Sequence, residues 1–213
     1  MHAYILLDRS GSMQTLWVEA LSSVNAYARE LASKTADDTP GYAGDAHVTF
    51  AVFDAQETLK FDILRRSQPA LHWEPVKDNE AFPRGMTPLL DAIVRLIALA
   101  EGDNPDKAVL VIMTDGAENA SREVTRDGVK AALDRVKAKG WEVVFLGANF
   151  DNIGDATSVG VGAGQQMAMA TGRMGASMRK LASKSRVYAA SAEPVVFDKE
   201  DREEAGEDEV KRR

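Results

Sequence analysis

Asp8-Arg-Ser10-Gly-Ser12 puts three oxygen-bearing side chains at alternate positions. The glycine between the serines lets the loop turn tightly enough for both hydroxyls to face one centre. A third hydroxyl, Thr87, and a second carboxylate, Asp115, extend the set of hard oxygen donors. Such donors suit Mg2+, Mn2+ or Ca2+ and not zinc. Two carboxylates offset one divalent charge, and an open coordination position then still attracts an anionic oxygen. This is chemistry for binding, with no obvious catalytic step. Taken alone, the stretch from Asp8 to Ser12 also reads as a turn and helix cap, where Asp, Ser and Gly predominate. Thr87 and Asp115 tip the reading towards a metal.

These residues need elements to bring them together. Ala3 to Asp8 is a continuous apolar run ending in an aspartate, as expected of a central parallel strand. Ala108 to Met113 is a second such run, followed by Asp115. Both aspartates then lie beyond the carboxyl ends of strands, the edge where open α/β sheets bind ligands. Leu16, Ala20, Val24, Ala28 and Leu31 recur at helical spacing and predict a helix over residues 15–33. Val48 to Phe53 and Thr58 to Leu64 read as strands joined tightly enough to form an antiparallel hairpin at a sheet edge. Residues 65–85 show no clean period, although His72, Trp73 and Phe82 suggest core cover. Leu89, Ile93, Leu96, Ile97 and Ala100 mark a helix over residues 88–101, with Thr87 as its N-cap and Pro88 as its first residue. Val129 to Val136 predicts another helix, stopped by Gly140, and Trp141 to Leu146 another strand.

The alternation predicts an α/β three-layer sandwich: a Rossmann-like, doubly wound, mostly parallel sheet with one antiparallel edge strand. The domain is expected over residues 1–190, with a core at 3–148 and a helical extension at 149–190. The remainder, 191–213, is dominated by charge and is expected to be disordered.

Asp8-x-Ser10-x-Ser12, a later Gly-Met-Thr87-Pro and a later Thr-Asp115-Gly resemble the metal-ion-dependent adhesion site of von Willebrand factor A domains. The three pieces occur in that family's order and at about its spacing, and the resemblance covers roughly residues 4–148. It implies that Ser10, Ser12 and Thr87 contact the metal through hydroxyls. Asp8 and Asp115 would bind it directly or through water. A partner protein's exposed Asp or Glu would complete the coordination, and the metal would be Mg2+, or Mn2+ or Ca2+. In style the chain resembles compact bacterial or phage members, which often work beside AAA-type ATPases or within multi-protein assemblies.

Other features carry less. Asp91 reads equally as a support for the site or as a solvated or capping carboxylate, and Glu118 and Asn119 read as ordinary loop residues rather than as the rim of the site. Arg9 and Arg84 read as exposed. Val159 to Gly164 is glycine-rich but does not lead from a first strand into a helix, so it is no dinucleotide fingerprint. Met167, Met169, Met174 and Met178 read as core rather than as an adaptable partner groove. His2, His47 and His72 lack ligand spacing.

An enzyme that uses Asp8 as a nucleophile on phosphate esters with Mg2+ is the second functional class. It is disfavoured because the position of its usual general acid is Ser10. An RNA-associated or structural role is a third class, opposed by a net charge of −7. The 213 residues contain no cysteine, and the first residues lack the pattern of a signal peptide. A soluble, cytoplasmic, non-enzymatic protein without a membrane span is therefore expected.

Overall fold

The computed structural model describes residues 1–33, 39–148 and 151–211, the side chains of 151–153 and 211 excepted. A six-stranded sheet runs through its centre in the order β3 (Leu59–Pro69), β2 (His47–Ala55), β1 (His2–Asp8), β4 (Ala108–Thr114), β5 (Glu142–Gly147), β6 (Gln166–Ala168). All neighbouring strands are parallel except β2 and β3, which form the antiparallel edge hairpin. The chain proceeds from β1 to one side and from β4 to the other, so the topological switch point lies between these two strands.

Both faces of β1 are covered, which is why it reads as unbroken apolar sequence. Ile5 and Leu7 pack with α1 (Trp17–Leu31) and α5 (Met174–Ser191) in one core layer. Tyr4 and Leu6 pack with α2 (Leu89–Asp103) and α3 (Arg126–Ala138) in the other, which also takes Ala156 from α4 (Asp151–Ser158). The four methionines at 167, 169, 174 and 178 are all buried in the first layer, as core residues. Gly140, with φ at +79°, closes α3 in the left-handed region that glycine tolerates.

Some boundaries move. A short 3-10 turn, Gly11–Thr15, precedes α1, so the helix starts at Trp17. β3 extends to Pro69 through irregular pairing with β2. The stretch after it shows no period because two side chains organise it. Asn25 Oδ1 accepts from Trp73 Nε1 and from the Val76 N–H, and Asn25 Nδ2 donates to Val76 O. Arg65 pairs with Glu80. Trp73 packs partly on the core, whereas His72 and Phe82 are exposed, against expectation.

The expected disordered tail is corrected. The segment from 194 to 211 folds back over the β6 edge and forms α6 (Lys199–Glu204) and α7 (Glu207–Lys211). Val195 and Phe197 are buried, the Phe197 N–H donates to Gly164 O and the Ala170 N–H to Ala205 O. The charges that suggested disorder are structural here. Asp198 and Asp201 make a reciprocal capping box, Lys184 bonds Asp201 at 2.7 Å, and Glu207 pairs with Arg202. Residues 149–150 of the expected helical extension, and 212–213 of the tail, lie outside the described residues. Among the described residues no helix is long and apolar enough to cross a membrane.

Candidate metal centre

The parallel register pairs Leu7 with Met113, which sets Asp8 beside Thr114 at the carboxyl edge of the switch point. Thr114 Oγ1 donates to Asp8 Oδ2 at 2.6 Å, and the Ser10 N–H donates to Asp8 Oδ1 at 2.7 Å. The chain then turns so that Ser10 Oγ lies 3.0 Å from Ser12 Oγ, and Ser12 Oγ donates to Asp115 Oδ1 at 2.7 Å. Gly116 shows where these groups converge. A methyl group on its Cα would lie 2.8 Å from Thr87 Oγ1, 3.3 Å from Ser12 Oγ and 3.5 Å from Asp8 Oδ2. Oxygens from two separate loops therefore face one small space beside the glycine of a third.

Burial acts on both carboxylates. Asp8 is fully buried. Burial pushes its carboxyl up to about 6, and the nearby Asp115 carboxylate adds to the rise; the Thr114 hydroxyl and the Ser10 N–H act in the opposite direction. Burial also raises Asp115, against the hydrogen bond from Ser12. Among the described residues no group of three or more His, Cys, Asp or Glu converges on a common point. A cation here would rest on hydroxyls and two carboxylates, the donor set of a hard metal.

The surrounding scaffold departs from expectation at several residues. Thr87 is not the N-cap of α2: Pro88 occupies that position, without a side-chain cap. The caps come from the loop after Asp115. Glu118 Oε2 accepts from the Leu90 N–H and Ser121 Oγ from the Asp91 N–H, while Asn119 Oδ1 accepts from the Thr87 N–H just before the helix. Asp91 is buried and accepts from the N–H groups of Arg122, Glu123 and Val124, so it anchors that same loop.

Arg9 is also buried, against expectation. Its guanidinium bonds Asp54 through Nε at 2.8 Å and reaches the half-exposed Asp62 at 2.7 Å. Arg84 is half exposed and bonds Asp54 at 3.1 Å. Backbone bonds join the same loops, from Arg84 N–H to Arg9 O and from Gly11 N–H to Gly85 O. The buried carboxylate of Asp54 thus ties the loop bearing Ser10 and Ser12 to the loop bearing Thr87.

No protein-family model matches the sequence, and no curated protein matches it at a significant level. Solved structures do match in fold. The vWF domain of the type V pili tip protein Mfa5 from Porphyromonas gingivalis superposes with a TM-score of 0.64 at 10% identity, over 87% of this chain and 95% of that one. The chain has the von Willebrand factor A fold.

Manganese-loaded Plasmodium vivax TRAP protein gives a TM-score of 0.58 at 14% identity, over 88% of this chain and 73% of that one. Proximal thread matrix protein 1 from the mussel byssus gives 0.56 at 17%, over 87% of this chain and 48% of that one. This chain thus spans about half the length of the mussel protein, which has also been solved with a zinc-occupied MIDAS motif. On this von Willebrand factor A fold, Asp8, Ser10, Ser12, Thr87 and Asp115 all gather at the carboxyl edge of β1 and β4.

Proposed function

We propose that the chain is a metal-dependent protein-binding module. Asp8, Ser10, Ser12, Thr87 and Asp115 would hold Mg2+, or Mn2+ or Ca2+. An Asp or Glu carboxylate exposed on a partner protein would complete the coordination. The observation that carries this reading is the meeting of Thr87, Ser12 and Asp8 oxygens around the space in front of Gly116. The ion's role, when bound, is to attract the partner's carboxylate. The chain's own residues do the remaining work: Thr114 and the Ser10 N–H orient Asp8, and Ser12 links Ser10 to Asp115. With no cysteine in the chain, a reducing compartment such as the cytoplasm suits the protein.

The test is a thermal melt of the wild type and of Asp8→Ala, each in EDTA and in millimolar Mg2+ or Mn2+. A cation at a hundred times its dissociation constant stabilises the fold by about 2.7 kcal/mol. A shift that the substitution abolishes supports the centre. The same melts with an acidic peptide, against a peptide carrying Gln and Asn in place of Glu and Asp, test the carboxylate grip. Equal shifts with the two peptides would refute that grip.

A further inference from the structure

Threonine directly before proline at a helix start is a natural N-cap, and a capping hydroxyl takes the N–H two or three residues on. For Thr87 the third such N–H is that of Leu90. In the structure Glu118 Oε2 already holds the Leu90 N–H at 2.9 Å, and Ser121 Oγ holds the next one, of Asp91, at 3.1 Å. Asn119 clamps the Thr87 backbone from both sides: its Oδ1 accepts from the Thr87 N–H at 2.8 Å, and its own N–H donates to Thr87 O at 3.1 Å. The Thr87 hydroxyl turns instead to the space in front of Gly116. Glu118 itself is held by the N–H groups of Ala120 and Ser121 on Oε1, and by the Ser121 hydroxyl on Oε2.

We propose that Glu118 and Asn119 are positioning residues for the metal centre: Glu118 caps α2 from the neighbouring loop, Asn119 holds the Thr87 backbone, and together they keep the Thr87 hydroxyl free for the ion. The arrangement also couples two ligands, because the loop that caps α2 begins at Asp115. The inference rests on the metal-centre reading given above and adds residues to it. Without Glu118 the Leu90 N–H loses its acceptor, and the Thr87 hydroxyl is the nearest local replacement in sequence. Metal affinity then falls because a ligand is diverted, while the helix keeps a cap.

The test is Mn2+ titration followed by electron paramagnetic resonance of the free ion, alongside metal-free thermal melts. The proteins are wild type, Asp8→Ala, Glu118→Ala, Asn119→Leu, Asn119→Asp and Thr87→Ala. Asn119 is exposed, so neither replacement there disturbs the core. Glu118→Ala and Asn119→Leu should each weaken Mn2+ binding by about tenfold or more, the usual range for partners that orient ligands. Asn119→Asp keeps the acceptor and should stay within about threefold of wild type. In a Thr87→Ala background, Glu118→Ala should cause no further loss, since its effect passes through that hydroxyl. Unchanged Mn2+ affinity with a lowered metal-free Tm would make the two residues merely structural and overturn the inference. Undiminished additivity with Thr87→Ala would also overturn it. If the wild type binds Mn2+ no better than Asp8→Ala, the metal centre itself fails and this inference with it.

Discussion

Gly116→Ala separates the metal site from the fold more sharply than the loss of any ligand. Its backbone is not in the left-handed region, so alanine adopts it without strain. The added methyl would meet Thr87 Oγ1 at 2.8 Å, which forces a shift of a few tenths of an ångström in one hydroxyl-bearing side chain. Mild overpacking costs about 1 kcal/mol at the low end of the usual range. Replacing glycine in a compatible conformation returns about 0.4–1 kcal/mol by restricting the unfolded chain. The metal-free variant should therefore melt within about 3 °C of wild type, taking roughly 2–4 °C per kcal/mol for a chain of this size. The metal-dependent part should vanish, because the methyl enters the space that the Thr87, Ser12 and Asp8 oxygens face. Wild type at a hundred times its dissociation constant would gain about 2.7 kcal/mol, or roughly 5–10 °C. Differential scanning fluorimetry in EDTA and in Mn2+ measures both parts. A full metal shift in Gly116→Ala would refute the claim that the ion sits in this cradle. A collapse of the metal-free Tm would refute the steric reckoning.

Three further outcomes are expected. Asp54→Asn leaves the buried Arg9 guanidinium without its fully buried partner and should cost about 3 kcal/mol in urea unfolding; the double replacement Arg9→Met with Asp54→Leu should cost much less. His2 lies against Tyr4 and Thr49, and burial lowers it from 6.5 to about 4, with the His47 ring, Arg66 and the N-terminal amine acting the same way and Asp103 opposing them. The depressed folded pKa means the unfolded chain binds the extra proton first. Stability is thus full above pH 6.5 and declines as pH falls towards 4, by at most about 3 kcal/mol, and His2→Gln should flatten that slope in pH-dependent melts. Truncation before residue 194 removes the buried Val195 and Phe197 and bares the β6 edge; it should cost about 3 kcal/mol or more and promote self-association, read by urea titration and light scattering.

What the sequence made legible follows from how each signal is encoded. β1 and β4 are buried on both faces, so they appear as unbroken apolar runs, and the aspartates after them fall at the sheet edge by geometry alone. β6 has three residues and α4 has eight with little apolar content, and neither leaves a readable period. The tail misled because charge density is a proxy for solvation. Asp201 and Glu207 are buried: the Asp201 carboxylate accepts from the Asp198 N–H and pairs with Lys184, and that of Glu207 accepts from the Ala168 N–H and pairs with Arg202. Arg9 misled for the same reason, since its partners Asp54 and Asp62 lie more than forty residues away in sequence.

Thr87 is the more instructive case, because two roles were visible for it and the structure does not give it the capping one. Thr-Pro before an apolar stripe is a helix start, and a threonine between two strand-end aspartates is a candidate ligand. One hydroxyl in one orientation serves one of these roles at a time. The conflict is resolved by acceptors about thirty residues downstream: Glu118 takes the Leu90 N–H and Asn119 takes that of Thr87 itself. Loop residues that cap a distant helix have no periodicity and no local partner, so nothing near them in sequence marks them out. Their presence explains why a strong local preference is overridden at this position. The override has a cost, since three loop side chains and the buried Asp91 must be ordered to hold a helix end that one threonine would have capped. A fold that needed only the helix would not require that arrangement. A fold that needs the Thr87 hydroxyl facing Asp8 and Ser12 does.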